Sequence, residues 1–177
     1  NIEASLTILS LLLVISRLRN NARETLTDMS AKTNIPVSTI YEKLRIQLKQ
    51  HILAYKCLID FVKLGFSIKA MVTLKVDKEQ KQDLLSYLQK HKNINTLCRI
   101  NNSFDFFAEV VFRELKDLEE FLETLDVKFK LKQRNVYFVI EEVKREAFLS
   151  EPEFLSMLMP EVFAASIPKG KEPKGKG

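Results

Sequence analysis

Up to about residue 50 the apolar residues recur at helical spacing, whereas beyond Gly65 stretches of strict alternation and of helical spacing take turns. The first stretch, Leu6 to Ile15 (LTILSLLLVI), is apolar nearly all the way round. Such a helix must bury more than one side, which predicts packing both on the helices that follow and on another chain. It is too short to cross a bilayer. It also has no basic flank before it and no small-residue cleavage site after it, so it does not read as a signal peptide.

From Leu26 to Leu48 (LTDMSAKTNIPVSTIYEKLRIQL) the pattern predicts a helix, a short turn and a second helix. Leu26, Met29 and Ser30 give the first helix a small packing face, Thr33 and Asn34 end it, and Pro36 can start the next helix but not continue it. On the second helix Val37, Ile40, Tyr41, Leu44 and Leu48 fall within about 100° of arc and predict the inward face. Ser38, Thr39, Glu42, Lys43, Arg45 and Lys49 are left as candidates for DNA contact, in the geometry that lays one helix in the major groove. Ser38 and Thr39 can hydrogen-bond to phosphates or base edges, Arg45 can grip guanine or phosphate, and Lys49 can supply phosphate charge. Glu42 would repel phosphate and must face a base or another side chain. Ile46 also points outward, where it can touch a thymine methyl or pack on a wing or a neighbouring subunit. The strand formers of Leu53 to Ile59 (LAYKCLI) come directly after the second helix and predict that wing.

Beyond Gly65 the predicted order is strand, helix, strand, strand, helix, strand. Ile68 to Val76 alternates, and Leu84, Leu85 and Leu88 share one helical face within Gln80 to Lys90. Thr96 to Asn101 and Phe104 to Phe112 predict a hairpin around Asn102 and Ser103. Leu115, Leu118, Phe121, Leu122 and Leu125 recur at helical spacing, and Arg134 to Val143 predicts the closing strand. In this ferredoxin-like arrangement both helices cover one face of the sheet, which leaves the other face to meet a second sheet and predicts dimerisation.

Composition adds less. The 177 residues suffice for two small domains, and the net charge of +5 permits a polyanionic partner without requiring one. Residues 1 to 60 hold eight Lys/Arg against five Asp/Glu, the largest basic excess for its size, so the charge favours the helix-turn-helix region as the DNA-facing part. Cys57 and Cys98 lie far apart in apolar, strand-like runs and predict buried free thiols in a reducing cytoplasm. His51 and His91 sit in polar, loop-like stretches with no second ligand at metal spacing, so no metal or cofactor is expected. No nucleophile is placed with a base, which argues against an enzyme.

Residues 5 to 148 resemble the Lrp/AsnC, or feast/famine, family of transcription regulators. Asp60-Phe-Val-Lys-Leu-Gly-Phe66 is similar to the family's hinge, often D-P-x-x-L-G-Y. Asn102-Ser-Phe-Asp-Phe106 stands where the family has G-D-[FY]-D-[YL], and Val139-Ile-Glu-Glu-Val-Lys144 is similar to its V-x-E-E-V-K closing strand. The resemblance implies an N-terminal winged helix-turn-helix, a C-terminal ferredoxin-like domain that dimerises, assembly of dimers into larger even-numbered oligomers, and small-molecule effectors bound near that hairpin. By position, Asn102, Ser103 and Asp105 are the implied effector residues. Here Asn102 replaces the glycine and Ser103 the acid, so a side chain crowds the space a ligand would use. Asp105 could receive an ammonium group or cap the hairpin. The family's glycine at the wing turn is replaced by Gln50 and His51, and its Pro-Gly before the last strand is missing near Leu125 to Lys128.

Ser150 and Glu153 have capping-box spacing, with Pro152 in the first turn, and Phe154, Leu155, Leu158, Val162 and Phe163 form an apolar stripe that can fold back on its own subunit or dock on another. The expected organisation is α+β: a winged helix-turn-helix (1–60), a hinge (61–66), a ferredoxin-like βαββαβ regulatory and dimerisation domain (67–148), an extra helix (149–166) and a basic flexible tail (167–177). The expected function is a cytoplasmic, dimeric regulator that reads partly palindromic double-stranded DNA, with no membrane partner. The alternatives are a ligand sensor or scaffold that does not bind DNA and, more remotely, an enzyme like the haem-precursor decarboxylases that resemble the same family.

Overall fold

A computed structural model describes residues 2–166, and the expected basic tail, 167–177, lies outside the described residues. The chain divides into two units, one formed by residues 1–57 together with 144–177 and the other by residues 58–143.

The second unit holds the expected βαββαβ order. Its elements are β1 (Ile68–Lys75), a helix (Lys81–Lys90), β2 (Ile94–Arg99), β3 (Phe106–Phe112), a helix (Leu115–Phe129) and β4 (Gln133–Phe138). The sheet runs β2-β3-β1-β4 with every neighbouring pair antiparallel. Alternation decides what each strand buries. Ala70, Val72 and Leu74 of β1 and Phe106, Ala108, Val110 and Phe112 of β3 lie under the helices, which lower Leu84, Leu88, Leu118, Phe121, Leu122, Leu125 and Phe129 onto them. The opposite face carries cross-strand rows Thr96, Glu109, Met71, Tyr137 and Cys98, Phe107, Thr73, Asn135. Near its centre Lys69 pairs with Glu109 at 2.7 Å and also with Glu142.

The first unit is helical. Its elements are α1 (Ile2–Asn20), α2 (Leu26–Thr33) and α3 (Val37–Glu42), the last continuing through a π turn at Lys43–Gln47 and a 3-10 turn at Leu48–Gln50. With the two helices of the sheet unit numbered α4 (Lys81–Lys90) and α5 (Leu115–Phe129), the chain then adds α6 (Pro152–Leu158) and α7 (Pro160–Ser166). Val14 of α1, Met29 of α2, Ile40 of α3 and Leu48 pack into one fully buried cluster. The apolar flank of α1 that was expected to meet another chain is covered within the same unit by α6 and α7, where Leu155 and Val162 are buried. Polar bonds fix that cover. The Ser16 hydroxyl donates to the Ser150 carbonyl at 2.9 Å, the Asn20 amide donates to the same carbonyl, and the Arg19 guanidinium donates to the carbonyls of Glu146 and Phe148.

The structure corrects several expectations. Leu53 to Ile59 forms no strand. A strand needs a neighbour for its backbone groups, none of the described strands pairs with this segment, and Leu53, Tyr55 and Leu58 stand in solvent. β4 ends at Phe138 rather than Val143, because its neighbour β1 begins at Ile68 and the last rung is Val139 N–H to the Lys69 carbonyl at 2.9 Å. The expected Ser150/Glu153 capping box is not made. The Ser150 side chain is turned inward to the Ala147 carbonyl and Glu151 stands at the helix start, while Pro160 divides the expected single helix into two. Both thiols are exposed rather than buried, Cys57 in the unpaired segment and Cys98 on the open side of an edge strand. His91 lies in extended backbone directly after α4, as a loop-like residue should, but it is half-buried, with its ring 4.5 Å from that of Phe121, and burial lowers its pKa.

Leu155 is fully enclosed where α6 covers α1. Leu155→Ala should cost the first unit about 2–5 kcal/mol and leave the sheet unit unaffected. Scanning calorimetry of the full chain should show one transition moving down while the other stays. Joint movement would mean that the units do not melt separately.

Candidate nucleic-acid interface

Local chemistry builds the helix-turn-helix. Thr25 caps α2, its hydroxyl oxygen accepting from the Asp28 N–H at 3.1 Å, and Asn34 ends the helix in the left-handed region (φ 56°) with its N–H on the Ser30 carbonyl at 2.9 Å. Pro36 then opens α3, its carbonyl accepting from the Ile40 N–H. Behind the turn, Glu24 accepts both arms of the Arg17 guanidinium (2.7 and 2.8 Å) and the Lys32 ammonium (2.6 Å), tying α1 to α2. Sequence reasoning missed this triad because its members are seven and eight residues apart, a separation that is informative only once the helices cross.

The expected contact residues divide into two groups. Ser38, Glu42, Arg45 and Lys49 are exposed, Thr39 is half-buried, and Ile46 is exposed beside them. Among the described residues neither Arg45 nor Lys49 has an ion-pair partner. Lys43 is different. It is only 6% exposed, its ammonium donating to the Thr7 carbonyl of α1 and to the Gln47 side-chain oxygen, each at 3.3 Å, so it is not on the outward face as expected. Burial lowers its pKa, and Glu42 opposes that shift.

Val37 and Tyr41 are also corrected, since both are exposed, Tyr41 at 56%. An ordinary helix drifts about 40° over four residues, which would carry the Ile40, Leu44, Leu48 ridge toward Tyr41. The π turn is wider, with the Leu48 N–H reaching the Lys43 carbonyl five residues back, and removes much of that drift. The inward ridge is therefore Ile40, Lys43, Leu44 and Leu48, and Tyr41 joins the outer surface.

The three effector candidates do not converge. Asn102 takes the left-handed conformation (φ 67°) that glycine would, and it and Ser103 are exposed. Asp105 turns inward. Its carboxylate accepts from the Val76 N–H at 3.1 Å and pairs with Lys81 at 2.5 Å and Lys75 at 3.6 Å, while its backbone closes the hairpin through Leu74 and Ile100. Burial pushes its pKa up, but the bonds from Lys81 and Val76 outweigh burial and hold it below the usual value. Capping, the second of the two roles open to it, is what these bonds perform.

Residues 69–148 match the family model described as the Lrp/AsnC ligand binding domain. Among curated relatives, an uncharacterized HTH-type transcriptional regulator of Pyrococcus furiosus is 23% identical over 140 residues, covering 78% of this chain and 94% of the relative. The HTH-type transcriptional regulator FL11 of Pyrococcus horikoshii is 24% identical over 113 residues, 63% of this chain and 75% of that one. Among solved structures, a transcriptional regulator of Neisseria meningitidis in complex with L-Met superposes with a TM-score of 0.70 at 16% identity, covering 76% of this chain and 90% of its own. LrpC of B. subtilis gives 0.66 at 21%, covering 74% and 92%. The two Pyrococcus relatives and the Neisseria protein are named transcriptional regulators, and at such identities the structures establish the fold. No described helix is long and apolar enough to cross a membrane.

Hydrogen bonding by Arg17, opposed by burial and helped by Lys32, lowers the Glu24 pKa from 4.5 to about 2. A carboxylate depressed in the folded state stabilises it fully above the unfolded value and progressively less as pH falls from about 4.5 to about 2. Glu24→Gln should therefore destabilise the first unit at pH 7 and flatten its stability curve through that acid window. Denaturation midpoints measured across pH would refute the triad if mutant and wild type ran parallel.

Proposed function

Taking as premise that residues 69–148 belong to the Lrp/AsnC ligand-binding domain family, we propose that the protein is a transcription regulator that reads double-stranded DNA with α3 and assembles through its open sheet face. The observation that carries this reading is the outer surface of α3 and its continuation. Arg45 and Lys49 stand exposed and without ion-pair partners among the described residues, beside Ser38, Ile46 and Tyr41, on a helix whose inner ridge is buried. Two cations and a hydroxyl can serve phosphates and guanine, and Ile46 can serve a thymine methyl. Glu42, which would repel phosphate, can accept from a cytosine amino group.

The open sheet face supports assembly. Met71, Phe107 and Val111 share it with the Lys69–Glu109 pair, in which burial pushes Glu109 up and the Lys69 and Asn95 bonds outweigh it, leaving its carboxyl below the usual value. A face that mixes this apolar area with short polar side chains and has its Lys69–Glu109 charges paired internally suits another copy of itself, since an isologous interface presents the same patch twice. A dimer would present two α3 helices about 34 Å apart, matching successive turns of one side of a partly palindromic site. An amino-acid effector finds no vacant carboxylate at Asp105, and that role is not carried over to it. The expected cytoplasmic location belongs to the same reading, because a regulator must meet the chromosome.

Two measurements test these parts. With a site selected from random DNA, Arg45→Ala should lose about 1–3 kcal/mol on that site and little on random sequence, whereas Lys49→Ala should weaken both alike and lower the salt slope by about one. Unchanged selectivity in the arginine variant would place the reading surface elsewhere. Wild type should sediment at micromolar concentration as a dimer or larger even-numbered assembly, and Phe107→Glu should shift it toward monomer. A monomeric wild type would end the assembly proposal.

A further inference from the structure

We propose that Lys43 is a positioning residue for DNA recognition, holding the π turn of Lys43–Gln47 against α1 so that Arg45, Ile46 and Lys49 keep their outward phase. This deepens the DNA-binding reading and rests on it. The argument begins with cost. A π turn is rarer and less well packed than the α turn it replaces, and it persists where surrounding contacts over-determine it. Relaxing this one to an ordinary turn would advance everything beyond it by one residue, about 100° around the axis. Lys49 would then leave the outer face.

Two anchors prevent that. At the far end Leu48 is fully buried in the core cluster and its N–H bonds the Lys43 carbonyl. At the near end the Lys43 ammonium reaches the Thr7 carbonyl of α1 and, within the turn itself, the Gln47 side-chain oxygen. Both bonds are from one charged group to neutral acceptors, and among the described residues no carboxylate forms an ion pair with Lys43. Burying an ammonium on such terms does not help stability, because an apolar side chain of similar length would fill the same space without desolvating a charge. Directed bonds give something an apolar side chain cannot. They fix the rotation of this part of the helix against α1, on the opposite side from the residues that face DNA.

Positioning and structural roles predict different results for Lys43→Met, which keeps the stem and removes the ammonium. In the full-length protein, positioning predicts an unchanged or raised melting temperature and about a tenfold loss of affinity for the selected site. Random-DNA affinity and the salt slope should fall no further than in Lys49→Ala, because Lys49 is carried off the outer face, and adding Lys43→Met to Lys49→Ala should leave the slope where Lys49→Ala puts it. Lys43→Arg, which restores a donor, should recover part of the loss, and Gln47→Met should reproduce a smaller one. Amide exchange supplies a readout that does not depend on DNA: the Leu48 amide should exchange at least tenfold faster in Lys43→Met, with Ile40 unchanged.

A further fall of about one in the salt slope when Lys43→Met is added to Lys49→Ala would make Lys43 a direct phosphate contact and overturn the proposal. Unaltered selectivity, or unaltered Leu48 exchange, would overturn it as well. If Lys43→Met does not fold, Gln47→Met decides alone on selectivity and exchange. Should wild type select no sequence, the DNA-binding reading falls, and faster Leu48 exchange would still mark Lys43 as the holder of the turn without the recognition role.

Discussion

The arrangement of the first unit follows from the problem set by α1, a helix with too much apolar surface for one neighbour. Val14 faces the cluster formed by Met29, Ile40 and Leu48, and another flank meets α6 and α7. A fully buried leucine or valine contributes roughly 1.5–3 kcal/mol relative to exposure, whereas the isolated helices of eight and seven residues around α1 are too short to persist in water. Their existence depends on α1 being there to cover. The same helix supplies Arg17 to the Glu24 triad and the Thr7 carbonyl to Lys43, so the orientation of the exposed surface of α3 is referred back to it through polar bonds as well as packing.

The sheet unit solves a different problem by simpler means. Strict alternation on β1 and β3 sends one set of side chains under two helices and the other to an open face, where charge is settled internally by Lys69, Glu109, Asn95 and Thr96. On the proposed reading, that open face is where the unit joins another copy. Its hairpin is locked from inside by Asp105, an arrangement that keeps Asn102 and Ser103 at the surface without enlisting them in a pocket.

What was legible in the chain was whatever a single element's own period encodes. Alternation in Ile68 to Val76 and the leucine spacings of α4 and α5 gave the order of the sheet unit, and Thr33, Asn34 and Pro36 gave the turn between α2 and α3. Partners were not legible. Leu53 to Ile59 has strand composition and no strand to join, and β4 stops where its neighbour starts. Lys43 reads as surface by residue type, although its place three residues after Ile40 and five before Leu48 sets it beside the inner ridge. Exposed residues such as Arg45 were read correctly as exposed, because nothing in a helical repeat needs to be known beyond the opposite face.

Because residues 144–166 complete the unit begun by residues 1–57, the chain must finish the sheet unit before it can finish the helical one. At synthesis rates of about 5–20 residues per second, the interval between the emergence of α1 and that of α7 is on the order of ten seconds. During that time the nascent chain carries an apolar helix with one flank bare. Domains usually fold in the order they are made, and this one cannot. The helical unit is thus the later of the two to mature, although its first helices are made first, and a product truncated before α6 would display the sheet unit intact beside an unfinished helical one.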